Sequence, residues 1–333
     1  FKTSELRYLQ TRILFLGSGP LAKECSDLAM QSNSYHRYDI AGFVPIPSEE
    51  VCVPTNNLVK MKDGDSMVTL ARAYNAAEIV VSVQNRRGGF PIKELLDCKL
   101  QGIKVTDAAT FFERETCQIR VDSLQPSWLV FGGGFDQSFM RTFMKRSFDI
   151  ICSMIILATA FPVMLVTALL IYLEDRAPVF YSQERVGKDG ATFKVHKFRS
   201  MRSDAEKGGK PQWAAQNDPR VTRVGNFIRK TRIDELPQIV NVFKGEMSFV
   251  GPRPERPYFV EQLIEVVPYY HVRHSIKPGI TGWAQVRYGY GSSAEDALQK
   301  LQYDLYYVKN NSLFLDVLVL IDTLKVVLFR SGR

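Results

Sequence analysis

The chain has 333 residues, 45% hydrophobic and 23% charged, and a net charge of +8. The composition is globular and the length allows two domains. The charge is local: from Arg176 to Arg256 there are 17 Lys and Arg against 9 Asp and Glu, and the rest is close to neutral. Such a surplus calls for an anionic partner, whether nucleic acid, a phosphorylated small molecule or an anionic lipid surface. No recognition helix or RNP motif accompanies it, which sets nucleic acid aside. Cys25, Cys52, Cys98, Cys117 and Cys152 form no CxxC pair and read as free thiols in a reducing compartment. His271 and His274 have no further His or Cys nearby, so no metal site is expected there. The chain starts at Phe1 with no signal peptide in view, which leaves a longer parent protein open.

In chain order, the run Arg12–Leu16 followed by "GSGPLAKECSDLAM" reads as strand, glycine turn and helix. Gly17, Gly19 and Ala22 match a GxGxxG/A dinucleotide fingerprint. The acidic partner such a site needs has only Asp39 as candidate, at the wrong end of its strand. No catalytic constellation follows, so NAD-type catalysis is the least supported reading; a regulatory nucleotide site and, above it, a structural or dimerising Rossmann-like domain remain open. Further strands are expected at Ile40–Val44, Glu78–Val83 and Ile103–Thr106, with helices between them in "DSMVTLARAYNAA" and "PIKELLDCKLQG". This alternation predicts an open, mostly parallel sheet.

Ile150–Leu173 is 24 residues without a charge, enough for a helix of roughly 36 Å that could cross a bilayer. Pro162 at its centre removes a backbone hydrogen bond and predicts a kink. A spanning helix and a re-entrant hairpin both fit the hydropathy. Beyond it, Val179–Ser182, a "GKDG" turn and Phe193–Phe198 read as a β-hairpin. "MRSDAEKGGKPQWAAQNDPR" reads as a loop with a mobile part. Leu236, Ile239, Val240 and Phe243 have helical spacing, with Asp234 and Glu235 in the turn before them and Pro237 in the first turn. An N-cap role for Asp234 and a first-turn role for Glu235 would suit the helix dipole. That leaves Arg229, Lys230 and Arg232 unexplained. Those bases would hold an anion beside the carboxylates, and Glu235 could anchor a divalent cation bridging to phosphate. Leu313–Phe329 carries Asp316, Asp322 and Lys325 and is expected to be interfacial or packed on protein, not a span.

Together "KRSFDI", "FYSQERVGKDGATFKVHKFRSM", "DPRVTRVGNFIRKTRIDELPQIVNVFKGEMSFVGPRPE" and "KPGITGWAQV" resemble the bacterial sugar transferases, the monotopic phosphoglycosyl transferases, over about Lys145–Arg333. The resemblance implies transfer of sugar-1-phosphate from a UDP-sugar to undecaprenyl phosphate, with release of UMP. This would be the priming step of exopolysaccharide, capsule or O-antigen synthesis, with Mg²⁺ and an aspartyl-phosphosugar intermediate. By motif, Asp234 would be the nucleophile, Glu235 the Mg²⁺ ligand, and Arg229 the holder of the lipid phosphate. Arg253, Thr281 and Gln285, with Lys197 and Arg199, would bind nucleotide or phosphate. The family's helix often breaks at Ser-Pro; here the pair is Phe161-Pro162, with Thr159 near enough to replace the serine hydroxyl. A cytoplasmic UDP-sugar puts both ends of the apolar run on the cytoplasmic face of the bacterial inner membrane, and so selects the re-entrant form.

The expected fold is α/β: an N-terminal Rossmann-like parallel-sheet domain, then a re-entrant membrane helix and a mixed, mainly helical catalytic domain with a small β-hairpin. The expected divisions are 1–135 for a regulatory or dimerisation domain, 136–176 for an amphipathic lead-in and membrane helix, and 177–333 for catalysis. Expected partners are the UDP-sugar, undecaprenyl phosphate, the lipid bilayer and a second copy of the chain. The non-enzymatic alternative is a membrane-anchored nucleotide-sensing or scaffold protein, which gives the Asp-Glu order no role.

Overall fold

A computed structural model describes residues 10–31, 37–47, 49–60, 65–84, 90–121, 134–135, 137–176, 178–202, 205, 218–289, 291 and 293–329. The chain divides into two compact units, Phe1–Leu124 and Gln125–Arg333. The central part of the expected mobile loop lies outside the described residues.

The first unit alternates strand and helix: β1 (Thr11–Leu16), α1 (Pro20–Gln31), β2 (Tyr38–Val44), α2 (Met67–Ala73), β3 (Glu78–Val81), α3 (Ile92–Leu100), β4 (Lys104–Asp107) and α4 (Ala108–Thr116). The four strands form one parallel sheet in the order β2-β1-β3-β4. β1 explains its own composition. Leu14 and Leu16 join a core that includes Met67, Leu70 and Cys98. Ile13 and Phe15 join the opposite core with Cys25, Phe43 and Phe111. A strand buried on both faces needs a continuous apolar run, which "ILFL" supplies. α2 and α4 begin where Ser66 and Asp107 accept from the N–H groups of Thr69 and Thr110.

The glycine turn forms as its sequence suggests. Gly17 has φ of +117°, and a Cβ there would meet Ser82 O at 2.7 Å. Its N–H groups, however, already have a carboxylate. Ser18 N and Gly19 N donate to Glu49 Oε2, each at 3.3 Å, and Gln84 N donates to Glu49 Oε1 at 3.1 Å. The position a phosphate would take at this helix start is held by the chain's own anion. Asp39 lies at the start of β2, paired with Arg12 at 3.3 Å.

The second unit opens with α5 (Phe139–Asp175), 37 residues long and, among the described residues, the one helix long and apolar enough to cross a membrane. Its helical assignment runs through Pro162 without interruption. Thr159 Oγ1 donates to Ile155 O at 2.9 Å and Ile156 O at 3.2 Å. Its hydroxyl therefore bonds back one turn. It does not reach the Ala158 carbonyl that Pro162 leaves without a helical donor, contrary to the substitution expected for the missing serine. Both flanks of the apolar run bond to the same unit. Near the start, Asp149 Oδ1 accepts from Ser248 Oγ and Phe249 N, and Arg146 donates to Val242 O and Phe243 O. At the end, Glu174 accepts from Arg223 N and Val224 N, and Asp175 pairs with Arg199. Between them Ile155, Phe161, Leu165 and Val166 are exposed.

The hairpin β5 (Phe180–Val186) and β6 (Thr192–Phe198) is antiparallel, in register from Phe180 opposite Phe198 to Val186 opposite Thr192. Then come α6 (Arg223–Lys230), α7 (Ile239–Lys244), β7 (Ser248–Val250), α8 (Pro257–Val266), β8 (Gly279–Thr281), α9 (Trp283–Arg287), α10 (Ala294–Asn310) and α11 (Leu313–Phe329). The parallel pair β7–β8 has only three residues per strand and carries no readable periodicity. α11 packs through Leu315, Asp316 and Val319 and exposes Phe314 and Leu324.

Candidate active site

Asp234 and Glu235 lie inside a six-residue 3₁₀ helix, Ile233–Gln238, which leads into α7. The capping expectation is corrected here: the cap position belongs to Arg232, whose side chain makes no cap bond. Arg232 has φ of +60°, the left-handed region, which costs a non-glycine residue about 1 kcal/mol or more. That strained residue turns the chain from α6 into the 3₁₀ helix and delivers the two acids as neighbours. Both are nearly buried, Asp234 at 9% and Glu235 at 8% exposure.

Three cations converge on one oxygen. Glu235 Oε1 lies 3.0 Å from Lys197 Nζ, 3.1 Å from an Arg253 guanidinium nitrogen and 3.7 Å from one of Arg232. Lys197 comes from β6, Arg253 from the turn after β7. Burial works against the Glu235 charge, yet Lys197, Arg253 and Arg232 outweigh it and hold the carboxyl well below its usual range. Asp234 goes the other way: burial first, then the charge of Glu235, raise it, while Lys197, Arg232 and Arg229 oppose the rise. Burial likewise pulls Lys197 below the usual lysine value, against the raising effect of Glu235. The two neighbouring carboxyls are thus shifted in opposite directions, Asp234 up by burial and the charge of Glu235, Glu235 down by the cations gathered on it.

The remaining expected site residues separate into near and far. Arg229, at the end of α6, is close enough to lower both Asp234 and Asp218. Arg199 is paired with Asp175 at the end of α5 and makes no ion pair with Asp234 or Glu235 among the described residues. Thr281 Oγ1 lies 2.7 Å from Thr323 Oγ1 of α11. Gln285 donates to Ile280 O at 3.5 Å, and its Oε1 is buried without a hydrogen-bond partner. Pro162 stays within α5. A small cleft beside Glu235, with room for about one water, is lined by Arg185, Lys197, Gln238 and Arg253. Arg185 and Gln238 were not singled out from the sequence; Arg185 sits inside the quoted "SQERVG" but carries no spacing signal of its own. Among the described residues no three His, Cys, Asp or Glu cluster closely enough to hold a metal ion.

The sequence model of a family described as bacterial sugar transferase matches residues 140–330. The chain is 45% identical over 238 residues to UDP-N-acetylgalactosamine-undecaprenyl-phosphate N-acetylgalactosaminephosphotransferase of Aeromonas hydrophila, covering 72% of this chain and 55% of that protein. It is 32% identical over 361 aligned positions to undecaprenyl-phosphate galactose phosphotransferase of Salmonella typhimurium, covering 99% of this chain and 70% of that one. It is 42% identical over 198 residues to the exopolysaccharide production protein PSS of Rhizobium leguminosarum, with 58% of this chain matching 98% of that protein. The chain therefore spans little more than half of the Aeromonas relative's length and nearly all of the Rhizobium relative's.

Proposed function

The chain belongs to the bacterial sugar transferase family, and from that premise we propose that it transfers sugar-1-phosphate from a UDP-sugar to undecaprenyl phosphate, priming polysaccharide synthesis. The observation that carries this reading is the Asp234–Glu235 pair with Lys197, Arg232 and Arg253 gathered on Glu235. Asp234 attacks the sugar-bearing phosphorus. A bond forms between its carboxylate oxygen and phosphorus, the phosphoanhydride bond breaks, and UMP leaves with that electron pair. A phosphate oxygen of undecaprenyl phosphate then attacks the same phosphorus, forming the lipid diphosphosugar and returning the aspartate. Bringing a carboxylate against a diphosphate is electrostatically unfavourable, and Lys197, Arg229, Arg232 and Arg253 offset that repulsion.

Glu235 would hold Mg²⁺. Its hard carboxylate fits that ion, which takes one or two protein carboxylates and completes its shell with water and substrate phosphate. When bound it would neutralise charge developing on the phosphate oxygens.

α5 is read as re-entrant, with both flanks at the cytoplasmic face. The support is that Asp149 at one end and Glu174 at the other, 25 residues apart, both bond within one unit while the apolar middle stays exposed. The first unit is read as a Rossmann-like domain of structural use, because Glu49 takes the N–H groups a dinucleotide would need.

The test is UMP release from a panel of UDP-sugars, with and without undecaprenyl phosphate. Sustained turnover that requires the lipid and Mg²⁺, with release without lipid limited to a stoichiometric burst, supports the reading; no release with any sugar overturns it. The named relatives act on different sugars, so the panel also selects among them.

A further inference from the structure

The loop that carries Arg253 is Val250–Glu255, "VGPRPE". Pro252 and Pro254 have no N–H, so the segment is anchored mainly by its carbonyls. Val250 O lies 3.0 Å from the Tyr307 hydroxyl. Pro252 O accepts from Gly279 N at 2.9 Å and Glu255 O from Val186 N at 2.9 Å. The two carbonyls flanking the centre of the loop accept from arginines: Arg253 O from Arg273 at 3.0 Å and Pro254 O from Arg185 at 3.1 Å.

Arg273 is 6% exposed. It pairs with Asp304 of α10 at 2.7 Å and donates to the Tyr270 hydroxyl at 2.6 Å. A buried guanidinium is costly unless its charge is matched and its N–H groups are satisfied. Here it is not arranged for the ion pair alone. Its Nε is buried with no acceptor, while one terminal nitrogen serves both Asp304 Oδ2 and the carbonyl of Arg253. That carbonyl belongs to the residue whose side chain meets Glu235 at 3.1 Å.

We infer that Arg273, held by Asp304, is a positioning residue that sets where the Arg253 guanidinium sits on Glu235; its catalytic consequence rests on the reaction proposed above. Arg273 itself touches neither carboxylate. It acts through the main chain of Arg253, so its effect exists only while Arg253 has a side chain to aim.

The experiment is a double-mutant cycle on the full chain with Arg273→Lys and Arg253→Ala. Lysine keeps the charge opposite Asp304 but lacks the planar fork that reaches Tyr270 and Arg253 O together. Two quantities are read: kcat/KM for UMP release, and affinity for UDP, which needs no turnover. A misplacement of about 1 Å in an aiming group can cost up to about 100-fold. The expected result is a loss of about tenfold or more from Arg273→Lys in the parent, and less than about twofold in the Arg253→Ala background. Equal losses in both backgrounds mean a general structural effect and overturn the inference, as does no loss in the parent. An active parent with no coupling overturns the positioning role and leaves the proposed function standing. A parent that releases no UMP but shows the coupling in UDP affinity overturns the function and leaves the positioning role. A parent that neither releases UMP nor binds UDP overturns both. Should Arg273→Lys fail to fold, Asp304→Asn goes through the same cycle with the same expectations.

Discussion

Asp234 and Glu235 have the same chemistry and share buried, cationic surroundings, yet their carboxyls are shifted in opposite directions. If Asp234 is the nucleophile as proposed, Asp234→Asn removes the attacking oxygen's charge and is expected to lower UMP release by at least about 10³-fold, the scale on which nucleophiles matter. Intact mass should show a sugar-phosphate adduct on the parent and none on Asp234→Asn; an adduct on the variant would contradict the assignment. At His274 the effect is on stability. Burial, then the charge of Arg273, depress its pKa from 6.5 to about 4. Below about pH 6.5 the unfolded chain takes up a proton that the folded chain refuses. Stability from this residue is therefore present above about 6.5 and declines as pH falls toward about 4, by at most about 3 kcal/mol. Thermal melts of the parent and His274→Gln across that window should diverge, with the variant the less pH-dependent; parallel curves would count against it.

Between elements, the junction of α5 and α11 is polar at its centre. Lys145 Nζ lies 2.7 Å from Asp316 Oδ2 and 3.2 Å from the Tyr307 hydroxyl, and Asp316 is fully buried. This explains an acid in the otherwise apolar "LFLDVLVLI". Lys145→Met leaves that acid without its counter-charge, its other oxygen still accepting from the Tyr307 hydroxyl, and is expected to cost about 3 kcal/mol, and adding Asp316→Leu should recover much of it. A double variant no more stable than the single one in chemical denaturation would remove the pairing argument. At the other end of α5 the same logic concerns topology. Single cysteines at Arg141 and Arg176 in a cysteine-free background should label from one face only. Pro162→Ala restores a backbone donor and should shift part of the population to two-sided labelling, opposed by the positive flanks. Labelling of the parent from opposite faces would exclude the re-entrant form.

For the molecule as a whole, every residue of the proposed site lies in the unit Gln125–Arg333, and the family match covers 140–330. The Rhizobium relative is almost wholly matched by 58% of this chain. A chain beginning at Gln125 is therefore expected to keep UMP release within about tenfold of the parent. Loss of release from a truncated chain that still folds would give the first unit a direct part in the reaction. Glu49→Ala in the full chain should change UMP release little, because its bonds stay within that first unit.

Periodicity and long motifs carried most of the elements. The four parallel strands, the hairpin, the apolar run inside α5 and the partly packed character of α11 were readable because burial on one or two faces writes itself into the local order of residues; that α5 is 37 residues long and continues through Pro162 was not. Asp234, Glu235 and Arg229 stood out in a dense run of charge, whereas Lys197 and Arg253 came in only through the family resemblance. What lay beyond local order was partnership. That Arg199 answers Asp175, that Glu49 fills the glycine turn, and that Arg273 holds the carbonyl of Arg253 are contacts across 20 to 31 residues or more. A charge in a sequence announces that it needs a counter-charge; only folding, by bringing distant segments within about 3 Å, decides which one it meets.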